Sequence, residues 1–223
     1  MKKYVVVVAG GMGMRMGAAQ PKQFLLLRGK PVLWHTLMVF LEAYEDLEIV
    51  LVLPADFLEA GRELVSGLPA VSRVRLVVGG ETRFHSVRNG LALVDEESLV
   101  AVHDGVRCLV TVDLVRKCFE QALRVGSAIP VVDCADSVRL LGDAGSKPLD
   151  RSVVKLVQTP QTFQGRLLLR AYESAPGVSF SDDATVVEAS GVPVHLIQGD
   201  KTNIKITLPI DLLIAEQVLL YQV

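Results

Sequence analysis

The chain has 223 residues, 50% hydrophobic and 22% charged, which is enough apolar material for one sizeable α/β domain and too much for an intrinsically disordered chain. A formal net charge of −2 leaves no broad basic face, which argues against a nucleic-acid partner and favours small anions. Cys108, Cys118 and Cys134 form no CxxC pair, and the apolar run after Lys2 and Lys3 is too short for a signal-peptide core. A cytoplasmic protein with neither a disulfide framework nor a membrane segment is expected.

From Tyr4 to Ala9 the chain is β-branched and uninterrupted by polar residues, the signature of a central strand covered on both faces. It opens into Ala9-Gly10-Gly11-Met12-Gly13-Met14-Arg15-Met16, followed by Pro21-Lys22-Gln23. Glycines without a Cβ let backbone amides approach a ligand closely, and clustered amides suit phosphate oxygens. Arg15 and Lys22 add a planar fork and a flexible point charge to the same loop. No acidic residue precedes Glu42, whereas Lys2, Lys3, Arg15, Lys22, Arg28 and Lys30 all do, so an anion is steered here. The pattern describes a polyphosphate loop; a tight turn with solvated cations is the competing reading. Neither the dinucleotide fingerprint, which lacks its third glycine at Met16, nor the P-loop, broken at Phe24 and Pro31, fits.

A first helix is expected from Pro31, with Val32, Leu33, Leu37, Phe40 and Leu41 on one face. Further strands are read at Glu48 to Leu53, Val74 to Val78, Leu99 to His103, Ser127 to Val132 and Val194 to Gln198. Their alternation with helical stretches implies an α/β fold, a Rossmann-like, mostly parallel sheet flanked by helices over residues 1–223. A helix after Gly79-Gly80 would turn Val87, Leu91 and Val94 inward, and its opening amides and Ser86 could face a ligand or form an ordinary turn and cap. His85 reads as a surface or packing residue. His103-Asp104-Gly105-Val106-Arg107 closes another strand: Asp104 suits a ribose hydroxyl, a substrate hydroxyl, Mg²⁺ or a helix cap, and Arg107 suits a phosphate.

Residues 133–157 break the alternation. Ser137 to Leu141 and Leu149 to Val157 read as two strands around the turn Gly142 to Pro148, an inserted hairpin needing a surface to rest on, in its own domain or another. Gln158 to Thr162 reads as a proline-stiffened loop, Asn203 to Thr207 as a short strand, Asp182-Asp183 as capping residues rather than a metal pair, and Pro209 to Tyr221 as a final helix.

Taken together, Ala9-Gly10-Gly11-x-Gly13-x-Arg15-Met16 with Pro21-Lys22-Gln23, Gly79-Gly80 with Ser86, His103-Asp104-x-x-Arg107, Asp150-Arg151, Thr159-Pro160-Gln161, Ser181-Asp182-Asp183-Ala184 and Asn203 to Thr207 resemble the 2-C-methyl-D-erythritol 4-phosphate (MEP) cytidylyltransferase family. The resemblance implies transfer from CTP to a polyol phosphate. It places Arg15 and Lys22 on the triphosphate, and Ala9, Gly10, Gly11, Gly13, Gly79, Gly80 and Ser86, with Asp104, around the nucleotide. Asp104, Arg107, Arg151, Thr159 and Lys205 fall on the sugar phosphate, with Arg15, Lys22, Arg151 and Lys205 as the catalytic set. It further implies Mg²⁺, carried mainly by the CTP phosphates with Asp104 as a possible ligand, and a homodimer in which the hairpin arm brings Arg151 to the neighbour's site. Gly105-Val106-Arg107-Cys108 departs from the Ala-Ala-Arg-Pro usual there. Ribitol 5-phosphate cytidylyltransferases share the first loop and the Thr-Pro-Gln motif, so ribitol 5-phosphate is the alternative acceptor, and a non-enzymatic CTP-binding regulator is the alternative of a different class.

Overall fold

The computed structural model describes residues 1–11, 21–143, 145–175 and 180–221. Strand β1 (Lys2–Val8) is central because both of its faces are covered. Val5 and Val7 pack with Leu33, Leu37 and Phe40, while Tyr4 and Val6 pack with Phe84, Val87 and Leu91. β1 pairs in parallel with β4 (Leu47–Leu53) and β6 (Ser98–Asp104), and β5 (Val74–Val78) extends the parallel run beyond β4. The chain therefore leaves β1 in one direction and returns on its other side at β6, the topological switch point at which open α/β sheets place ligands.

Beyond β6 the pairing turns antiparallel. β11 (Gln161–Gln164) lies between β6 and β7 (Ser127–Asp133), β10 (Lys155–Val157) runs along the same edge of β7, and β12 (Leu196–Gln198) pairs with β7 in parallel. From the pair Val157 with Val131 to the pair Thr162 with Ala128, the β10–β11 side uses more residues than β7, so Gln158 to Gln161 carry a bulge. The proline-stiffened loop read there is thus half loop and half strand: Gln161 already belongs to the ladder.

Helices α1 (Val32–Ala43), α2 (Leu58–Ser66) and α4 (Val112–Val125) cover one face of the sheet. Helices α3 (Arg83–Leu91), α5 (Gly165–Ser174) and α6 (Asp183–Ala189) cover the other. The five apolar residues expected on the inner face of α1 are buried, with Pro31 as its cap rather than its first residue. Val94 lies past the end of α3 but still packs against the core. A third apolar cluster joins Leu27, at the end of β2 (Leu26–Leu27), to Val32, Cys108, Ile206 and Ala215 of α7 (Pro209–Tyr221); β2 pairs with β3 (Lys30–Pro31).

Two readings of the sequence need correction. The hairpin consists of β8 (Val138–Gly142) and β9 (Gly145–Leu149), so its second strand comes earlier than Leu149 to Val157, and Lys155 to Val157 join the main sheet instead. Gly145 at φ +117° lets the chain reverse tightly, and Pro148 is tolerated on an edge strand. Residues Asn203 to Thr207 are not a strand: Ile206 N–H bonds the Val106 carbonyl, and side chains of Lys22 and Arg107 take the Ile206 and Asn203 carbonyls that a ladder would have used. No helix among the described residues is long and apolar enough to cross a membrane.

Candidate active site

The carboxyl ends of β1, β5 and β6 meet the start of β11 and the 203–207 segment along one edge of the sheet. Two cavities open there. One, about 300 Å³, is lined by Ala9, Gly10, Gly11, Lys22, Gly80 and Ser86 among others; the second, about 310 Å³, is lined by Arg107, Gln158, Thr159, Gln161 and Asp182 among others. Arg83, Asp104 and Lys205 line both, so they form the wall between them.

The first cavity is built by local backbone requirements. Gly80 packs so closely on the first turn of α3 that a Cβ there would lie 2.4 Å from the His85 Cβ. Its amide donates to Ser86 Oγ at 3.1 Å. The amides of Ala9 and Gly79 bond the Val52 and Leu53 carbonyls at 3.0 and 2.8 Å. Those two amides extend the sheet instead of pointing at a ligand. Gly79 accordingly shapes the cavity without lining it. Gln23 ties the turn at 22–24 to the end of β1 by donating to the Ala9 carbonyl at 2.7 Å, and Lys22 Nζ donates to the Ile206 carbonyl at 2.9 Å. Gly13 and Arg15 lie outside the described residues.

The wall is an ion cluster around the buried Asp104. Lys205 Nζ stands 2.9 Å from Asp104 Oδ2, Arg107 Nε 3.5 Å from the same oxygen, and Arg83 Nε 3.5 Å from Oδ1. Burial pushes the Asp104 carboxyl up, but Arg83, Lys205 and Arg107 outweigh it and hold the group well below the usual carboxylate range. Asp104 does not cap a helix, since Thr111 caps α4. With three cations at its oxygens, Asp104 does not fit a divalent-cation ligand, and no cluster of three His, Cys, Asp or Glu side chains suited to a metal occurs among the described residues.

Thr159 Oγ1 accepts the Asp104 amide at 3.1 Å and meets His103 Nδ1 at 3.0 Å, while Asn203 Nδ2 donates to the Thr159 carbonyl at 2.8 Å. Arg107 is oriented without the family's following proline: its Nη1 donates to the Asn203 carbonyl at 2.9 Å, and Cys108 fills an apolar pocket beside Leu27 and Ile206. Gly105 suits its place, where a Cβ would lie 3.0 Å from the Ala9 Cβ and 3.1 Å from Leu33 Cδ1. Arg107 Nε and Asn203 Oδ1 are buried with no hydrogen-bond partner among the described residues, although Arg107 Nε faces the Asp104 carboxylate at 3.5 Å.

Of the residues singled out from the sequence, the structure brings Ala9, Gly10, Gly11, Lys22, Gly80, Ser86, Asp104, Arg107, Thr159 and Lys205 to this edge. Arg151 is not among them: it is exposed at the foot of the hairpin, its Nη1 donating to the Ala135 carbonyl at 2.6 Å. Arg83 was not singled out, although it is an arginine in the first turn of a helix, where the macrodipole disfavours a cation unless an anion holds it.

The family model for IspD, 2-C-methyl-D-erythritol 4-phosphate cytidylyltransferase, matches residues 3–221. A protein of that name from Bacteroides thetaiotaomicron is 50% identical over 98% of this chain and 100% of its own length. The solved 4-diphosphocytidyl-2C-methyl-D-erythritol synthase from Anaerococcus prevotii superposes with a TM-score of 0.85 at 27% identity, covering 98% of each chain. The 2-C-methyl-D-erythritol 4-phosphate cytidylyltransferase from Thermus thermophilus does so with a TM-score of 0.80 at 34% identity over 100% of both. With the motifs, the sheet edge and these likenesses in agreement, the chain belongs to the 2-C-methyl-D-erythritol 4-phosphate cytidylyltransferase family.

Proposed function

We propose that the chain joins CTP and 2-C-methyl-D-erythritol 4-phosphate to give CDP-methylerythritol and pyrophosphate, a step of isoprenoid precursor synthesis, working as a homodimer in the cytoplasm. The observation that carries this reading is the pair of cavities meeting at a charged wall: glycine loops, Lys22 and Ser86 on one side suit a nucleotide, and Arg107, Thr159 and Lys205 on the other suit a phosphorylated polyol. The reacting phosphates of two anionic substrates would meet at that wall.

An acceptor phosphate monoester, with a second pKa of about 6, is already largely dianionic at neutral pH, so no general base is needed. One of its oxygens attacks the α-phosphorus of CTP in line; a P–O bond forms there as the bond to the β-phosphate breaks and pyrophosphate leaves. Lys22, with Arg15 of the first loop, would hold the triphosphate. Lys205 and Arg107 would fix the attacking phosphate, and Arg151 would reach it from a second copy. Mg²⁺ belongs to the substrate here, neutralising charge on the triphosphate with which it arrives.

Pyrophosphate release from CTP, compared with MEP and with ribitol 5-phosphate as acceptors, tests the reaction and its specificity. Turnover with MEP far above that with ribitol 5-phosphate is expected. Preference for ribitol 5-phosphate would reassign the acceptor, and CTP binding without release would make the protein a sensor rather than an enzyme.

A further inference from the structure

The wall between the cavities continues into the core as a ladder of alternating charge. Asp183, the first residue of α6, is fully buried and takes Arg83 with both oxygens, Nη1 to Oδ1 at 3.1 Å and Nη2 to Oδ2 at 2.7 Å. Tyr172 of α5 donates its hydroxyl to the same Oδ1 at 2.6 Å, and its ring stacks on Phe84, the neighbour of Arg83, with centroids 4.8 Å apart. Arg83 then faces Asp104, and Asp104 faces Lys205 and Arg107. Asp182 caps the same helix and also accepts Gln161 Nε2 at 2.9 Å, while Gln161 Oε1 accepts the Ala184 amide. The end of α6 is therefore fixed to the bulge that carries Thr159.

A bidentate arginine–carboxylate pair fixes its geometry with two parallel hydrogen bonds, and one whose carboxylate is fully buried strongly resists loss of a single partner. Arg83 thus has two carboxylates with unequal claims. Asp183 holds it at close range, 2.7 Å, while Asp104 Oδ1 stands at a longer 3.5 Å from its Nε. That leaves Asp104 close to Lys205, at 2.9 Å, instead of collapsing onto Arg83.

We propose that Asp183 and Tyr172 are positioning residues for the transfer: they clamp Arg83 so that Asp104 stays balanced between Arg83 and the Lys205–Arg107 pair at the junction of the two cavities. This rests on the cytidylyltransferase reading for its kinetic consequence only. The clamp itself is a matter of geometry.

The test compares Asp183→Asn, Tyr172→Phe and the double variant Arg83→Gln/Asp183→Asn with wild-type protein in the pyrophosphate-release assay, alongside thermal unfolding and calorimetric CTP titration. Asp183→Asn strands a buried guanidinium and should be the least stable. The double variant removes both charges, keeps similar volumes and should recover most of the lost stability. If the pair is a positioning device, that recovery does not restore turnover: the MEP KM should stay raised about tenfold and kcat lowered about 100-fold, a larger loss than any in CTP affinity. Tyr172→Phe keeps the ring stack and should give a smaller loss of the same kind, about fivefold. Wild-type-like kcat and KM in the refolded double variant would reduce the pair to a stability element. Wild-type protein that releases no pyrophosphate would instead refute the proposed reaction; the clamp would then be judged from a crystal structure of Asp183→Asn, where Arg83 remaining in place and Lys205 keeping its contact with Asp104 would overturn it.

Discussion

His103 is buried completely, beneath the wall rather than in it, and its protonation follows from its neighbours. The Arg107 carbonyl can only accept, so His103 Nε2–H donates to it at 3.2 Å; Nδ1 of the neutral ring then accepts the Thr159 hydroxyl hydrogen, while Thr159 Oγ1 accepts the Asp104 amide. The imidazole is thereby set as a neutral ring that orients Thr159. Burial lowers its pKa to about 3, with Asp104 opposing the shift. Because the folded pKa lies below the unfolded value of 6.5, the unfolded chain binds the extra proton first as the pH falls. The contribution to stability is complete above pH 6.5 and is lost progressively down to about pH 3. His35, whose pKa burial also lowers, acts in the same sense. Melting temperature should therefore fall between pH 6.5 and 4, and His103→Gln should flatten that slope while starting from a lower value at pH 7. A variant with the full wild-type slope would show that the imidazole is not the titrating group. The strand pattern made Asp104 and Arg107 readable, because polar residues at the carboxyl end of an apolar strand face the ligand edge of such a sheet, whereas Thr159 and Lys205 were indicated only by the family resemblance. Arg83 and Asp183 were not readable: a hundred residues separate them in the chain, and an aspartate at a helix start looks like a cap, as its neighbour Asp182 indeed is.

Among the elements, those with strong periodicity were legible and those shaped by pairing were not. The inner face of α1 and the strand β5 follow the sequence pattern closely, since apolar spacing alone determines which side must be buried. Register is another matter. The division between β9 and β10 depends on which partner each finds, β8 or β7, and a lysine on each side of Arg151, Lys147 and Lys155, gives no preference. The resulting hairpin pairs only with itself among the described residues and exposes Leu140, Leu141 at 82% and Leu149, with Val153 at 73% beside it. A two-stranded ribbon with such a surface is marginal alone, which favours burial against a second copy. Replacing Leu141 by Asp would put a charge on that face without touching the sheet. Sedimentation should show dimer shifting to monomer while circular dichroism is unchanged; a variant as dimeric as wild type would remove the hairpin tip from the interface.

At the scale of the whole molecule, the cavity on the acceptor side has cations from within the chain in Arg107 and Lys205, yet Arg151 stands outside it at the hairpin foot. If a second copy supplies Arg151, each active site draws Lys22 from one chain and Arg151 from the other, and this makes a prediction that shared chemistry alone does not. Lys22→Ala removes a cation from the nucleotide side and Arg151→Ala one from the acceptor side, so each homodimer should retain about 1% of turnover or less. In the mixed dimer, one site combines the intact Lys22 of the Arg151 variant with the intact Arg151 of the Lys22 variant and is wild-type; the other carries both lesions. With random exchange half the dimers are mixed and half of their sites work, so activity should return to roughly a quarter of the wild-type value. Were Arg151 to act within its own chain, no combination would assemble an intact site. Activity that stays at the level of the single variants, after labelled subunits have been shown to exchange, would place Arg151 with the chain that carries it and leave the hairpin a purely structural arm.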